Sequence, residues 1–345
     1  MNRSIFRSKA LTLGMAALLA LTALGCQKKQ EPAAENQAPA AASVAAAAEP
    51  KPATVVQLGY QKIGAPFLLK SRSEGLDKRL HGKSAKADWK EFKHGPALLE
   101  AINAKEVDIG YVGETPPVFA QAGGVSFVYV ATDPPAPKAE AIIVRKDSPL
   151  KKVADLKGKK VALNRGSNVH YLLVKALEQA KLTIKDVEVV YLAPGDARPA
   201  FETGQVDAWV IWDPFLAAAE QTGARALADG EGLVDNHLFY VVRREFAEKN
   251  PELVREVLDE YRALSDWESK NPEEAAKILA QSSGVSYEAL LVAEKRHVYG
   301  ILPITDEVLA KQQAIADVFR KLELIPKDIR TKDAFLPSLV YAQKP

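Results

Sequence analysis

One turn of the chain combines residue types that favour binding of an anion. Residues 166–170 read Gly-Ser-Asn-Val-His and separate a predicted strand from a predicted helix. Gly166 permits a tight turn and a close approach of the backbone, and Ser167 or Asn168 is suited to cap the helix. The first N–H groups of a helix lack partners within it and carry about half a positive charge, so they bind an anion without lysine or arginine. The alternatives are an anion site, with His170 donating a hydrogen bond to the ligand, and an ordinary capped helix.

A second turn from strand to helix has similar properties. Residues 113–117 read Gly-Glu-Thr-Pro-Pro, and proline is suited to the first turn of a helix. The hydroxyl group of Thr115 and the N–H groups beside Gly113 form another helix start that favours an anion. Glu114 would repel an anion there, so we expect that it caps the helix or binds a different part of the ligand.

A third turn supplies apolar surface. Residues 209–214 read Trp-Val-Ile-Trp-Asp-Pro. A tryptophan at the end of a strand forms an apolar wall for a short alkyl chain, and Asp213 is a polar group beside it. Tryptophan also packs in protein cores, and we expect one of Trp209 and Trp212 to be a core residue.

The sequence has no set of residues that is typical of a catalytic centre. It contains no Gly-x-Ser-x-Gly elbow, no His-Glu-x-x-His motif, no Walker phosphate loop and no cysteine after residue 26. The five histidines, at positions 81, 94, 170, 237 and 297, are not spaced as metal ligands. We therefore predict a binding protein that is not an enzyme, without metal or cofactor. An enzyme would need a buried acid/base pair in its cleft, and Glu114 with Asp213 is the candidate pair.

Strand and helix patterns alternate along most of the chain. Predicted strands cover residues 55–60, 89–92, 107–111, 127–131, 141–145, 160–163, 187–192, 208–211 and 238–242. Predicted helices between them include residues 96–104, 168–180 and 197–203. This alternation indicates βαβ units and mostly parallel sheets. Helical patterns at 251–271, 272–281, 287–299 and 305–323 then indicate a helical layer that packs on the sheets.

Two stretches of the chain share a pattern. Residues 97–116 and 197–214 each read as a helix, a polar turn, Val-Asp, a strand, and an acidic residue before proline. One interpretation is a single α/β unit used once in each of two lobes, and the other is coincidence. If the units correspond, the turns after the two strands face each other across a cleft, where open α/β sheets bind ligands.

The N-terminal residues are typical of an export signal that ends at a lipid-attachment cysteine. Three basic residues precede an uncharged apolar run at 10–24, and a glycine precedes Cys26, the only cysteine of the chain. We predict a signal peptide over residues 1–25 and a lipid on Cys26. The alternatives are a signal cleaved elsewhere and a short membrane anchor. Residues 26–53 are rich in Ala, Pro, Gln and Glu, which predicts a disordered, lipid-anchored linker.

Charge and length restrict the class of the remaining chain. The 46 basic and 44 acidic side chains give a net charge of +2, and three of the basic residues belong to the predicted signal. No concentrated basic face is visible, so we expect no nucleic-acid partner. A chain of about 290 residues more often folds as two lobes than as one.

Six motifs in one order resemble the aliphatic-sulfonate-binding proteins of bacterial ABC importers. The likeness extends from about residue 55 to about residue 335. Glu114 stands where that family usually has aspartate, and Asn168 stands where it has a serine-rich run, which bears on the sulfonate that is preferred. The motifs are Gly-Tyr-Gln-Lys (59–62), Gly-Glu-Thr-Pro-Pro (113–117), Pro-Pro-Ala-Pro-Lys-Ala-Glu (134–140), Gly-Ser-Asn-Val-His (166–170), Asp-Ala-Arg (196–198) and Trp-Val-Ile-Trp-Asp-Pro (209–214).

The resemblance implies a two-lobed α/β periplasmic-binding-protein fold of type II, with the ligand cleft between the lobes. The first lobe would contain residues 54–138 and 239–345, and the second lobe residues 139–238. The resemblance also implies periplasmic capture of an aliphatic sulfonate as a sulfur source, and delivery to a membrane permease driven by a cytoplasmic ATPase. We expect a monomer that the lipid anchor tethers to a membrane.

Other ligands remain open on the same fold. They are taurine, nitrate, bicarbonate and a pyrimidine precursor of thiamine, and the alternative from another class is a periplasmic enzyme. For a sulfonate, we expect the helix starts to bind its oxygens, Trp209 to flank its alkyl chain, and buried carboxylates to order the cleft. The predicted site residues are Gln61, Gly113, Glu114, Thr115, Glu140, Ser167, Asn168, His170, Trp209 and Asp213.

Replacement of Cys26 tests the predicted lipid anchor. We expect the unsubstituted chain to incorporate labelled palmitate and to sediment with membranes, because Cys26 supplies the only thiol that can carry the lipid. Cys26→Ser should remain as soluble or uncleaved material. Equal incorporation of palmitate into the Cys26→Ser variant would contradict the prediction.

Overall fold

The computed structural model describes residues 53–337. The predicted signal peptide, Cys26 and nearly all of the predicted linker lie outside the described residues. Among the residues that are described, no helix has the length and apolar character needed to cross a lipid bilayer.

The described chain forms two five-stranded sheets. The first has the strand order β2-β1-β3-β10-β4 and the second has the order β7-β6-β8-β5-β9. In each sheet four strands are parallel, and the remaining strand, β10 or β5, is antiparallel to both of its neighbours. The strands are β1 (Thr54–Tyr60), β2 (Ala85–Glu91), β3 (Ile109–Gly113), β4 (Phe127–Thr132), β5 (Glu140–Val144), β6 (Lys160–Leu163), β7 (Glu188–Tyr191), β8 (Ala208–Trp212), β9 (Arg225–Asp229) and β10 (Leu238–Arg243).

Twelve α-helices accompany these strands in residues 53–337. Most follow a strand directly, and the last four form a helical C-terminal region. They are α1 (Gly64–Ser71), α2 (Glu74–His81), α3 (Gly95–Asn103), α4 (Thr115–Ala122), α5 (Asn168–Gln179), α6 (Pro194–Glu202), α7 (Phe215–Gln221), α8 (Arg244–Lys249), α9 (Pro251–Lys270), α10 (Pro272–Ser283), α11 (Tyr287–Arg296) and α12 (Asp306–Lys321).

Each sheet is the centre of a lobe with its own hydrophobic core. We call the lobe around β1–β4 and β10 the first lobe and that around β5–β9 the second lobe. Side chains of strand β8 point alternately to the two faces of its sheet. Ala208 and Val210 therefore belong to one hydrophobic cluster, and Trp209 and Ile211 belong to another. In the first lobe, α9 and α10 pack with the sheet and α1 in a single cluster. Their packing confirms the predicted helical layer.

The chain passes from one sheet to the other twice. Sheet membership changes between Thr132 and Glu140 and changes back between Asp229 and Leu238. The residue-level lobe boundaries at 138 and 238 remain a prediction.

Helices that follow parallel strands begin at one edge of each sheet. Helices α1, α3 and α4 start after the carboxyl ends of β1, β2 and β3, and α5 and α7 start after those of β6 and β8. Because the carboxyl ends of parallel strands meet at the same edge, the amino-terminal ends of these helices gather there as well. The fold thereby places several free N–H groups at the cleft.

Candidate functional site

A cavity of about 80 Å³ is lined by residues of both lobes and of the segments that connect them. A volume of this kind holds about five to eight water-sized spheres, which is the size of a small organic ion. A ligand can be enclosed in this space between the lobes.

The beginnings of five helices line this cavity. Their lining residues are Gly64 of α1, Gly95 of α3, Pro116 of α4, Asn168 of α5, and Pro214, which precedes α7. The helix dipole gives each of these ends partial positive charge. The N–H groups that remain for a ligand are fewer, because proline stands in the first turn of α1, α3 and α4 and the N–H of Thr115 donates to Asn168. The combined effect is an electropositive region made from neutral groups, which is suited to an anion.

A chain of neutral side chains joins the two lobes at the cavity. The side-chain oxygen of Asn168, in the second lobe, accepts a hydrogen bond from the N–H of Thr115 in the first lobe (3.4 Å). The side-chain amide of Asn168 donates to Asn236 (2.5 Å), and Asn236 donates to the carbonyl group of Ala136 (2.9 Å). Asn236 and Ala136 belong to the two connecting segments, so this network ties the lobes to both crossings.

Gly113 permits the close contact of the lobes. A Cβ atom on this residue would overlap the side-chain amide of Asn168, which the hydrogen bonds to Thr115 and Asn236 hold in place. The glycine at this turn therefore has a definite structural reason, which is the close approach of the other lobe.

Two further residues of the predicted site, Gln61 and Ser167, also line the cavity. The side chain of Gln61 is buried and donates to the carbonyl group of Tyr111 (2.9 Å). Ser167 precedes α5, and its hydroxyl group donates to the carbonyl group of Asn164 (2.7 Å). Both are neutral and both retain hydrogen-bonding capacity toward the cavity.

Apolar side chains form another part of the cavity wall. Ile63, Leu279, Leu290, Ala293 and Trp212 all line it. The cavity therefore combines anion-binding backbone groups with a surface suited to a short alkyl chain.

The structure differs from the prediction at Trp209. Its side chain is 1% exposed, packs near Phe201 in the core of the second lobe, and does not line the cavity. Trp212, three residues later at the end of β8, occupies the wall instead. Because side chains alternate along a strand, Trp209 lies on the same core face as Ile211. Trp212 is the last residue of β8 and therefore lies at the cleft.

Glu114, Thr115 and Glu140 are buried close to the cavity without lining it. The N–H of His237 donates to Glu114 (2.9 Å), but burial outweighs this contact and raises the pKa of Glu114 to about 8. Burial, followed by the charge of Glu114, raises the pKa of Glu140 well above its ordinary value. Burial therefore favours the neutral form of both carboxyl groups, and a neutral carboxyl group does not repel an anion.

His170 is also fully buried and lies outside the cavity wall. Its ring lies between aromatic rings of both lobes, with Phe319 at 5.1 Å and Tyr191 at 5.7 Å between centroids. Burial, followed by the charge of Arg165, lowers the pKa of His170 to about 4. The imidazole is neutral near pH 7 and packs at the junction of the lobes.

Asp213 lines the cavity and connects the second lobe with α11. Its carboxylate accepts a hydrogen bond from the N–H of Ala217 (3.0 Å) and lies 3.4 Å from the guanidinium group of Arg296, which also pairs with Glu220 at 2.6 Å. Burial raises the pKa of Asp213 to about 6, although Arg296 opposes this shift. This carboxylate is therefore already engaged by a protein cation.

Sequence reasoning missed four polar residues of the cavity wall, namely Lys62, Asn236, Glu294 and His297. Asn236 has a positive φ of 53°, which asparagine tolerates better than most residues. Glu294 lies on the buried side of α11, between the apolar positions of that helix. A polar residue on the apolar face of a predicted helix is the signal that would have indicated it.

The chain matches the family model described as NMT1/THI5 like over residues 92–275, more than half of its length. A protein of Escherichia coli (strain K12) that is named for binding aliphatic sulfonates is 42% identical over 292 residues, which are 84% of this chain and 91% of that protein. The chain belongs to the family of aliphatic sulfonate-binding proteins. The resemblance seen in the six sequence motifs is thereby confirmed.

Solved structures of the aliphatic sulfonate-binding family have the same fold. The alkanesulfonate-binding protein SsuA from Xanthomonas axonopodis pv. citri, bound to MOPS, is 37% identical with a TM-score of 0.78, covering 82% of this chain and 98% of that one. The periplasmic aliphatic sulphonate binding protein SsuA from Escherichia coli is 40% identical with a TM-score of 0.75, covering 83% and 98%. The predicted two-lobed periplasmic-binding-protein fold is therefore confirmed.

More distant structures share the fold alone. The desulfurization enzyme DSZB is 18% identical, with a TM-score of 0.59 over 83% of this chain and 97% of that one.

Within residues 53–337, no group of three or more His, Cys, Asp and Glu side chains is arranged so that it could hold a metal ion.

Replacement of Gly113 by alanine tests the role of the lobe contact. The new methyl group would displace Asn168 only when the lobes are close, and such overpacking costs about 1–3 kcal/mol, so ligand affinity should fall about fivefold to more than a hundredfold. Titration calorimetry measures the affinity. Gly195→Ala is the matched control, because a Cβ atom there has no atom within 4 Å. Unchanged affinity in Gly113→Ala would contradict the proposed contact.

Replacement of Glu114 by glutamine tests its protonation. The folded protein keeps the proton up to about pH 8, whereas the unfolded chain loses it near its ordinary pKa of 4.5. The stability that this group contributes is therefore present below pH 4.5 and is lost as the pH rises to about 8, by an amount on the order of a few kcal/mol. Relative to the unsubstituted protein, Glu114→Gln should become more stable across this interval.

Urea unfolding between pH 4 and pH 9 measures this difference in free energy. Glu288→Gln, at an exposed position of α11, is the control and should follow the unsubstituted protein. A stability difference for Glu114→Gln that stays constant with pH would show that folding does not raise the pKa of Glu114.

Proposed function

We propose that this protein is the extracytoplasmic substrate-binding component of an ABC importer and that it captures aliphatic sulfonates. The observation that carries this proposal is the cavity between the lobes, where five helix starts and neutral donors meet an apolar wall. Such a cavity favours a compact anion that carries a short apolar chain.

The chemistry of a sulfonate agrees with the neutral donors of this site, whose wall also contains the cation Lys62. A sulfonate stays ionised at physiological pH, so backbone N–H groups and amide side chains hold it without any transfer of a proton. His170 is neutral near pH 7 because its pKa is lowered to about 4. We therefore expect its protonation not to contribute to binding between about pH 6 and pH 8.

The relatives support the ligand class and the place of action. Both SsuA structures are named for binding alkanesulfonates or aliphatic sulphonates, and that of Escherichia coli is named a periplasmic protein. We infer that this chain likewise works outside the cytoplasm and delivers its ligand to a membrane permease driven by a cytoplasmic ATPase. Lipid attachment at Cys26 and a monomeric state are further parts of the proposal.

Geometry favours capture over catalysis. Glu114 and Asp213 form the acid/base pair that an enzyme of this shape would use, but only Asp213 lines the cavity. Asp213 pairs with Arg296. Glu114 lies behind the cavity wall, where it accepts a hydrogen bond from the N–H of His237. This arrangement does not offer Glu114 and Asp213 together to one ligand as an acid/base pair.

The apolar wall also distinguishes between the anions. Nitrate and bicarbonate have no alkyl chain to place against Trp212, Ile63 and Leu290. A pyrimidine would need aromatic rings on both sides, and Trp212 is the one indole or phenyl ring among the described residues that line the cavity. Aliphatic sulfonates fit both parts of the site.

The two tryptophans of β8 provide a matched test. Titration with ethane- to octanesulfonate should show that Trp212→Ala loses the gain in affinity with chain length, because Trp212 forms the apolar wall. Trp209→Ala should keep that gain but lower the free energy of unfolding by about 3–5 kcal/mol, because Trp209 is a core residue.

A ligand panel tests the substrate class itself. A sulfonate at a hundred times its dissociation constant should stabilise the protein by about 2.7 kcal/mol, and sulfate, nitrate and bicarbonate should do much less. Thermal unfolding measures both effects. Stabilisation by nitrate or bicarbonate alone would refute the proposal.

A further inference from the structure

The lobes also touch through two helices, α7 of the second lobe and α11 of the C-terminal region. Between them lies a small buried cluster of short side chains, formed by Ala217, Ala218 and Ala289. Short side chains allow two helices to approach closely, so the surfaces of α7 and α11 are in direct contact. We call this the α7–α11 contact. It is separate from the amide network around Asn168, because it uses other elements of both lobes.

Both ends of α11 bind polar side chains of the second lobe. Arg296, the last residue of α11, places its guanidinium group 3.4 Å from Asp213 and 2.6 Å from Glu220 of α7. Ser286, which precedes α11, donates a hydrogen bond from its hydroxyl group to the side-chain carbonyl group of Gln221 (2.8 Å). Of these five side chains, Asp213 lines the cavity and the other four lie outside its wall.

Each of the two helices is fixed to its own lobe. Leu290 of α11 lies in the hydrophobic cluster of the first lobe, and the N–H of Gly300, shortly after α11, donates to Ser265 of α9 (2.9 Å). Leu216 of α7 lies in the core of the second lobe. Separation of the lobes would therefore pull α11 away from α7 and break both ion pairs of Arg296.

A ligand enclosed between the lobes is released when the lobes separate. We propose that Arg296 is a positioning residue that holds the lobes together through Asp213 and Glu220, and that it slows release of the ligand without touching it. The hydrogen bond between Ser286 and Gln221 supports the same contact at the other end of α11. The inference rests on the proposed function, and it concerns how long a ligand stays bound rather than which ligand is bound.

The position of Glu220 separates this role from a direct effect of charge on the ligand. Glu220 lies outside the cavity wall, and its partner Arg296 also pairs with Asp213. Removal of the negative charge of Glu220 would make the surroundings of the cavity more positive, which favours a bound anion and slows its release. Loss of the ion pair would instead make separation of the lobes easier and speed release. The two effects have opposite signs, so the release rate distinguishes them.

Stopped-flow kinetics with propanesulfonate, followed by tryptophan fluorescence, measures association and release separately. Glu220→Gln should release the ligand about two- to fivefold faster, which is the effect expected for a partly exposed ion pair. Its association rate constant should stay nearly unchanged, because the ligand enters before the lobes close. Glu202→Gln is the matched control and should release the ligand at the unsubstituted rate, because it removes the same charge from an ion pair with Arg198 inside α6 (2.8 Å).

A second pair of variants tests the contact without a change of charge. Gln221→Ala removes the hydrogen bond from Ser286 and should speed release about twofold or more, whereas Gln179→Ala, at the exposed end of α5, should not. Unchanged or slower release in Glu220→Gln would overturn the inference and leave the proposed function intact, and so would equal release rates of Gln221→Ala and Gln179→Ala. Failure of propanesulfonate to bind the unsubstituted protein would instead overturn the proposed function, and the inference with it.

Discussion

The contact between Gly113 and Asn168 sets the arrangement of the two lobes. No Cβ atom fits on Gly113 while Asn168 is in place, and Asn168 is held by Thr115 in the first lobe and by Asn236 in a connecting segment. Asn236 in turn binds Ala136 in the other connecting segment. One short chain of amide groups therefore links both lobes and both crossings. The helix starts of the two lobes come close enough to enclose a small anion because of this contact.

Burial of charged carboxyl groups around an anion site is unfavourable, and protonation and pairing remove this conflict. Burial raises the pKa values of Glu114 and Glu140 and so favours their neutral forms, and Asp213 is paired with Arg296.

Much of this fold could be predicted from the sequence because strand and helix patterns were locally consistent. The helix predicted at 168–180 is observed as Asn168–Gln179, and the strand predicted at 208–211 is observed as Ala208–Trp212. Strand β9 (Arg225–Asp229) was not predicted, since Arg-Ala-Leu-Ala-Asp lacks the β-branched and aromatic residues that favour strands. Its pairing with β5 comes from tertiary structure.

The site was predictable where a turn motif defined it and unpredictable where distant elements converge. Gly113, Ser167 and Asn168 belong to strand-to-helix turns and line the cavity, and their contact with a ligand remains a prediction. Glu294 of α11 and His297, which follows that helix, lie more than 70 residues further along the chain than Trp212, and no local pattern connects them. The choice between Trp209 and Trp212 required the register of β8, which the sequence motif leaves open.

A crystal structure of the protein with bound propanesulfonate would show directly whether the helix starts and the apolar wall hold the ligand. The account predicts that the sulfonate oxygens lie about 2.7–3.2 Å from N–H groups at the starts of the lining helices and from the amide of Asn168, with the alkyl chain against Trp212. A sulfonate bound instead to the side chain of Lys62, or located outside the cavity between the lobes, would contradict it.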